Sequence, residues 1–310
     1  MADNVSKFFN ISNNTKYFYC KKEIVEKYDK FRFVDNEKIV KSIKEFLHNL
    51  EIKNQNIVIF EGGVGTGNFS LPLIHFFLKE KINFFFIGVD ISFFMLQKFY
   101  RKIKTMLKGD FEIAKKISLI FGDLERIFLP NESVDIFVLS LTLHYLNDPK
   151  KFLIETYKIL KKGGILIIFL RVDDVMKIMA NPVYRRPNNK SNFNIKNFWK
   201  LYNYLRFRKG GDFLPNREFV YNVSLLKKIL SNNFFLKEVK VFEIETNLRI
   251  IDYINIIEKG IWSTVSLNLS KNERKELLRQ LKKELREINV DLNMRLKENK
   301  KFKLLAFIKK

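Results

Sequence analysis

The stretch 59-IFEGGVGTGNF-69 follows the apolar run 56-NIVIF-60 and holds four of the chain's twelve glycines within six positions. Glycines gathered just after a strand-like run mark a backbone that turns sharply and closely approaches something else. Gly63, Gly65 and Gly67 are spaced G-x-G-x-G, between that run and a helix-like segment. The spacing places backbone N–H groups and a helix N-terminus at a strand's carboxyl end, where ligands of α/β sheets bind. Asn68 stands where the dinucleotide fingerprint G-x-G-x-x-G needs its third glycine, and the phosphate loop G-x-x-x-x-G-K-[ST] is absent. Glu61 adds a negative charge beside the turn. That charge suits a ligand with an ammonium or sulfonium group better than a pyrophosphate.

Apolar periodicity on either side of this turn gives the frame. Strands are expected at 56–61, 84–89, 117–121, 134–140 and 164–170, separated by helices at 67–80, 92–107 and 149–161. This alternation predicts a doubly wound α/β fold, with right-handed crossovers covering both faces of a mostly parallel sheet. Upstream, residues 22–50 read as helical, with Ile39, Val40, Ile43, Leu47 and Leu50 on one face. The run 158-KILKKGG-164 reads as a helix end, with lysines in the last turn and glycine beyond. Residues 171–222 are irregular, aromatic and basic. A helix at 223–231, a strand at 237–245 and helical residues 248–259 are expected next. Ser270 and Glu273 form a capping box opening a further helix, whose apolar face is Leu277, Leu278, Leu281, Leu285 and Ile288. The chain closes on a strand-like 302-FKLLAFIKK-310.

Composition narrows the class. A chain of 310 residues that is 46% hydrophobic can bury a large core. Cys20 is the single cysteine, so no disulfide framework exists and a reducing, cytoplasmic setting is expected. No apolar run reaches bilayer-spanning length, and the opening MADNVSKFFN does not read as a leader, so no membrane partner is expected. The net charge of +23, from 57 basic against 34 acidic residues, attracts nucleic acid or other anions. The lysines are nevertheless scattered through every segment, alongside abundant Asn, Ile and Phe, as AT-rich coding DNA produces. Charge alone therefore gives RNA only modest weight.

Two more acids follow the expected strands in order. Asp90 ends the second strand, placed to accept from ribose hydroxyls, and Asp123 follows the third, where a carboxylate can accept from the adenine amine. Either acid alone reads equally well as a helix N-cap; the weight lies in their order behind Glu61 and the glycines. With these residues the sequence resembles the class I S-adenosylmethionine-dependent methyltransferases across about residues 35–170. VIFEGGVGTGNFSLPL is similar to that family's first motif, E/D-x-G-x-G-x-G, with Val64 where Cys or Ser is frequent. SVDIFVLSLTLHYLNDPKKFLIETYKILKKGGILIIF is similar to its fourth strand, following helix and fifth strand.

The resemblance implies a seven-stranded Rossmann-like sheet with helical or irregular cap insertions, and S-adenosylmethionine as cofactor. It divides the chain into a helical segment over the cofactor cleft (1–50), the cofactor-binding core (51–170), a cap insertion (171–222) and the end of the sheet (223–310), itself interrupted by helices at 246–300. It implies cofactor contacts from Glu61, Gly62, Gly63, Gly65 and Gly67 at the methionine end, and from Asp90 and Ile91 at the ribose. Asp123 and Leu124 would meet the adenine, and Ser140 and Leu141 would lie behind the cofactor. His144 and Tyr145 would face the acceptor. The segment from 246 resembles the small-molecule branch that includes trans-aconitate methyltransferase, which makes Trp262 and Ser263 a pocket wall.

The implied reaction is in-line displacement from a sulfonium, which mainly needs alignment and exclusion of water. His144 is the candidate general base, being the one of three histidines at a strand's carboxyl end; a structural or wall-lining role is the alternative. His48 and His75 fall within expected helices, and no metal site is expected. Arg171, Tyr184 and Trp199 are further acceptor-side candidates, beside Arg185, Arg186, Phe198, Tyr202, Arg206 and Arg208. Their basic and aromatic run reads either as a lid meeting an anionic acceptor or as an amphipathic helix packed on the core. Tyr19 and Tyr28 read as cofactor covers or as packing residues. The expected activity is O- or N-methylation of a small molecule, with anionic metabolites among the candidates, by a monomer or homodimer. RNA or tRNA methylation is the alternative, although 140-SLTLHYL-146 carries no Asn/Asp-Pro-Pro-Tyr/Phe motif and no RNA-binding module is appended. A non-catalytic cofactor binder is the third class.

Overall fold

The runs IVIF and IFVL are apolar at successive positions, which suits strands covered on both faces. In the computed structural model they are central strands. The structure describes residues 19–32, 36–50, 52, 56–108, 110–180, 193–208, 222–260 and 269–310. In chain order the elements begin with α1 (Lys22–Arg32), α2 (Asn36–Asn49), β1 (Ile57–Gly62), α3 (Ser70–Lys79), β2 (Phe84–Asp90), α4 (Phe93–Leu107), α5 (Phe111–Ala114) and β3 (Ile117–Phe121). They continue with β4 (Val134–Ser140), α6 (Pro149–Ile159), β5 (Leu160–Arg171), α7 (Asp174–Ala180), α8 (Ile195–Arg208) and α9 (Val223–Leu230). The last are β6 (Phe234–Arg249), α10 (Ile250–Glu258), α11 (Lys271–Glu287) and β7 (Arg295–Lys309).

Seven strands form one sheet in the order β3-β2-β1-β4-β5-β7-β6. The first five are parallel, and β7 runs antiparallel to both β5 and β6. The strand order reverses between β1 and β4, so the carboxyl ends of these two open a crevice, the usual ligand position of such sheets. One face of the sheet packs Phe46, Phe77, Phe86 and Phe99, and the other packs Phe60, Phe137, Leu153 and Leu226. Local chemistry sets the helix starts. Ser92 caps α4 by accepting from Met95 N–H, Asp148 caps α6 ahead of Pro149, and Ser270 with Glu273 forms the expected box.

Several boundaries differ from the periodicity. The helix expected from residue 67 starts at Ser70, because Gly67–Phe69 complete the turn. The helix expected to end at 161 stops at Ile159, and Lys161–Gly164 enter β5 with a register shift against β4. Gly163, at φ +74°, supplies the backbone freedom that shift needs. The strand expected at 237–245 spans Phe234–Arg249, because β7 pairs with its whole length. The 171–222 stretch contains α7 and α8, and α8 is the amphipathic helix of the second reading. Phe198, Trp199, Tyr202 and Tyr253 join Leu277 and Leu281 in a separate core built by α7, α8, α10 and α11. No described helix is long and apolar enough to cross a membrane.

Candidate active site

The crevice between β1 and β4 is built by three turns. After Gly62 the chain bends so that Gly63 N–H and Val64 N–H both donate to Val89 O, at 2.8 and 3.0 Å. Gly67 closes the bend at φ +78°, and a Cβ there would stand 2.1 Å from the Phe99 ring. Only glycine fits. Gly65, at φ +55°, differs: a Cβ there would meet nothing within 4 Å, because the position faces open space. The second turn follows β2. The Asp90 carboxylate accepts from Gly65 N–H through Oδ2 and from Ser92 N–H through Oδ1, each at 2.8 Å. The third follows β4, where Leu141 takes the left-handed region (φ +54°) and Thr142 Oγ1 donates to Gly62 O at 3.1 Å. A side chain held there is backbone strain maintained by its surroundings.

These turns enclose a cleft of about 910 Å³, its open mouth included. Gly63, Gly65, Asp90, Ile91, Leu124, Ser140, Leu141 and Tyr145 of the expected set line it. Thr66, Asn68, Phe69, Met95, Thr142 and Leu146 line it as well and were not singled out from the sequence. Their types are ordinary for turns and cores, and only their adjacency to the glycines pointed to them.

The roof comes from the amino-terminal segment. Tyr19 and Tyr28 both line the cleft, with Tyr19 edge-on to Tyr28 and Tyr145 at 5.3 and 6.1 Å between centroids. Ser92 Oγ donates to Tyr19 O at 2.6 Å, and Cys20 Sγ donates to Ile91 O at 3.4 Å. Burial and the neighbouring Asp90 push the Cys20 thiol up to about 12, so it stays protonated and unreactive. Asp29 of α1 clasps the glycine turn: it accepts from Thr66 Oγ1 at 2.6 Å and pairs with Lys98 and Lys102 at 3.1 and 2.9 Å. Burial alone would raise this carboxyl, but Thr66 and the two ammonium groups hold it below the ordinary value. Nothing local marked Asp29 in the sequence, since its partners are 37 or more positions away.

Two acids are buried under the cleft. Desolvation raises Asp90 from 3.8 to about 6, against the pull of its two backbone donors. Glu61 is fully buried and raised from 4.5 to about 8 by desolvation; its Oε2 accepts from Ser70 Oγ at 2.7 Å. Its Oε1 has no partner among the described residues, and the side chain lies behind the cleft rather than in its wall. Gly62 and Gly67 likewise pack inward, on Leu124 and Phe99.

Other expected site residues are placed elsewhere. Asp123 Oδ1 caps the 3₁₀ turn Leu124–Arg126 by accepting from Glu125 N–H, beside the cleft wall but not part of it. His144 is 5% exposed, its ring 4.1 Å from that of Tyr145, and outside the cleft wall; the structural alternative describes this placement. Arg171 pairs with Asp173 and with Glu298, the latter at 2.6 Å, because burial obliges its charge to find carboxylates. Trp199 is packed among Phe198, Tyr202 and Tyr253 in the helical core. Neither Arg171 nor Trp199 reaches the cleft. Tyr184 and Trp262, with Arg185, Arg186 and Ser263, lie outside the described residues. Among the described residues no His/Cys/Asp/Glu group has the form of a metal site.

Residues 60–168 match the family described as Methyltransferase domain. An uncharacterized protein of Methanocaldococcus jannaschii is 31% identical over 225 residues, covering 71% of this chain and 87% of the relative. A candidate methyltransferase of Bacillus halodurans superposes at a TM-score of 0.52 and 16% identity, over 86% of this chain and 98% of that one. Phosphoethanolamine N-methyltransferase 2 of Haemonchus contortus, solved with phosphomonomethylethanolamine and S-adenosylhomocysteine, gives 0.50 at 15% identity, over 96% of this chain and 60% of that one. The residues present fit the cofactor such proteins use: an open position at Gly65, a carboxylate on the cleft floor and an unpaired buried carboxylate oxygen beneath it. With its sheet order, its glycine turn and a cleft that holds Asp90, the chain belongs to the class I S-adenosylmethionine-dependent methyltransferases, and S-adenosylmethionine is its cofactor.

Proposed function

We propose that this methyltransferase acts on a small-molecule acceptor, by O- or N-methylation, under the roof formed by Tyr19, Tyr28 and Tyr145. The roof carries the reading. It covers the cleft with three tyrosine side chains over apolar walls from Ile91, Met95 and Leu124, the concave and mostly apolar form of a small-molecule site.

When bound, S-adenosylmethionine would supply a sulfonium-activated methyl group for in-line bonding to an acceptor's lone pair, the C–S pair returning to sulfur, S-adenosylhomocysteine leaving and the acceptor's proton passing to water. The chain's own part is positioning. Each Asp90 oxygen accepts one backbone N–H and keeps a further lone-pair direction for a ribose hydroxyl. Ile91, Met95 and Leu124 provide apolar walls for the adenine, and Gly63 and Gly65 let the backbone approach the methionine end. The unpaired Glu61 Oε1, behind the cleft wall, calls for a donor, and a water bridging it to the cofactor's ammonium group has the right character. The tyrosine faces favour a cationic sulfonium and exclude water.

The test is methyl transfer from labelled S-adenosylmethionine into a metabolite extract and, in parallel, into total RNA. Label in the small-molecule fraction is expected. Label in RNA that falls steeply with added salt would overturn the reading.

A further inference from the structure

Beside the cofactor cleft lies a second pocket of about 730 Å³, its open mouth included. Ile39, Val40 and Ile43 of α2, Leu71 and Pro72 of α3, and Phe169 of β5 form most of its wall. Asn68, Phe69 and Ser140 line both cavities, so the two spaces are neighbours across a single layer of side chains.

The back of the cavity is rigid. Phe169 stacks on Phe302 and Phe242, at 5.4 and 6.0 Å between centroids, and Phe69 lies 5.9 Å away. Lys102 is the single charged residue among the described lining residues. Its ammonium is already bound to Asp29 at 2.9 Å and to Asn68 Oδ1 at 3.0 Å. The described lining therefore offers mostly hydrocarbon and aromatic surface, with Asn68 and Ser140 on the partition next to the cofactor cleft and the engaged Lys102 as its polar groups.

Resting on the small-molecule reading above, we propose that this cavity is the acceptor pocket and that the acceptor has an uncharged, apolar body. Its hydroxyl or amine points to the Asn68–Ser140 partition. Of the described cations nearest this reading, Arg171 is engaged with Asp173 and Glu298, and Lys102 with Asp29. Recognition by buried hydrocarbon makes affinity rise with the acceptor's apolar length, while a carboxylate or phosphate on the body meets no unengaged cation among the described lining residues.

The test uses the full chain saturated with S-adenosylhomocysteine, titrated calorimetrically with 1-alkanols from butanol to octanol. Affinity is expected to rise about fourfold per added methylene until the cavity is full. Val40→Trp, which fills the cavity from half-buried Val40, is expected to weaken 1-octanol by about an order of magnitude or more. It should leave S-adenosylhomocysteine affinity unchanged, and Val40→Ala should keep alkanol binding. Binding independent of chain length overturns the proposal, as does an unaltered 1-octanol affinity in a Val40→Trp protein that still binds S-adenosylhomocysteine. Methyl label in RNA would instead overturn the reading beneath it, and is told apart because alkanol binding then persists.

Discussion

The backbone N–H of Gly65 donates to Asp90 Oδ2 at 2.8 Å, so the glycine turn after β1 and the acid ending β2 form one unit. The same carboxylate therefore holds the floor of the cleft in shape and presents acceptors to whatever fills it. Removing it disturbs both.

Asp90→Ala is accordingly expected to weaken S-adenosylmethionine binding by about one to two orders of magnitude, the loss of charge-assisted hydrogen bonds. Burial places Asp90 at about 6, so wild-type affinity should fall as pH drops through that value and the carboxylate takes up a proton. Asp90→Asn should bind weakly with a flat profile from pH 5 to 8. Calorimetry across that range checks both, and unchanged affinity in the alanine variant would remove the ribose assignment.

Glu61 contributes to stability with the opposite sign to an ordinary paired acid. Its folded value lies near 8 against 4.5 unperturbed, so between these values the folded chain keeps a proton that the unfolded chain releases. Its relative contribution is full below 4.5 and is lost as pH rises through about 8. Glu61→Gln removes this titration. The cofactor-free variant should melt several degrees above wild type at pH 9 and close to it at pH 4, as thermal unfolding at the two values will report.

Asp29→Ala opens the clasp between α1 and the glycine turn. Two ammonium groups and the Thr66 hydroxyl lose their shared acceptor, at a cost of about 1–3 kcal/mol. Urea unfolding measures that loss. Stopped-flow dissociation of S-adenosylhomocysteine should quicken in parallel, since the roof residues Tyr19 and Tyr28 flank the clasp.

His144→Phe tests the general-base expectation against the packing the structure shows. Turnover should stay within a few-fold of wild type and the pH–rate profile should keep its shape. A loss of about a hundredfold or more is the signature of a removed base and would restore that role.

Arg171→Leu should leave S-adenosylhomocysteine affinity near wild type while destabilising the fold by about 3–5 kcal/mol, because Asp173 loses its buried cation and Glu298 keeps only Lys300, at 3.8 Å, among the cations paired with it in the described residues. Denaturant unfolding beside a binding titration separates the two effects. A variant of normal stability that loses only activity would return Arg171 to the acceptor side.

By itself the sequence determined the parallel sheet, the glycine turn and the order of the acids around it. Those features rest on local physics: strand and helix periodicities, left-handed backbone at Gly63, Gly65 and Gly67, and carboxylates at strand ends. Asp90 was legible for that reason, and Ser140 through the family resemblance. Only the tertiary structure decided which side chains meet across long separations. Arg171 stands 127 positions from Glu298, and Trp199 reaches its core only when α8 packs against α10 and α11. A lone arginine or tryptophan looks alike in a chain whether it will grip a ligand or a buried neighbour. The difference is made by which partner arrives to satisfy its charge or cover its ring, and that is a property of the folded surface.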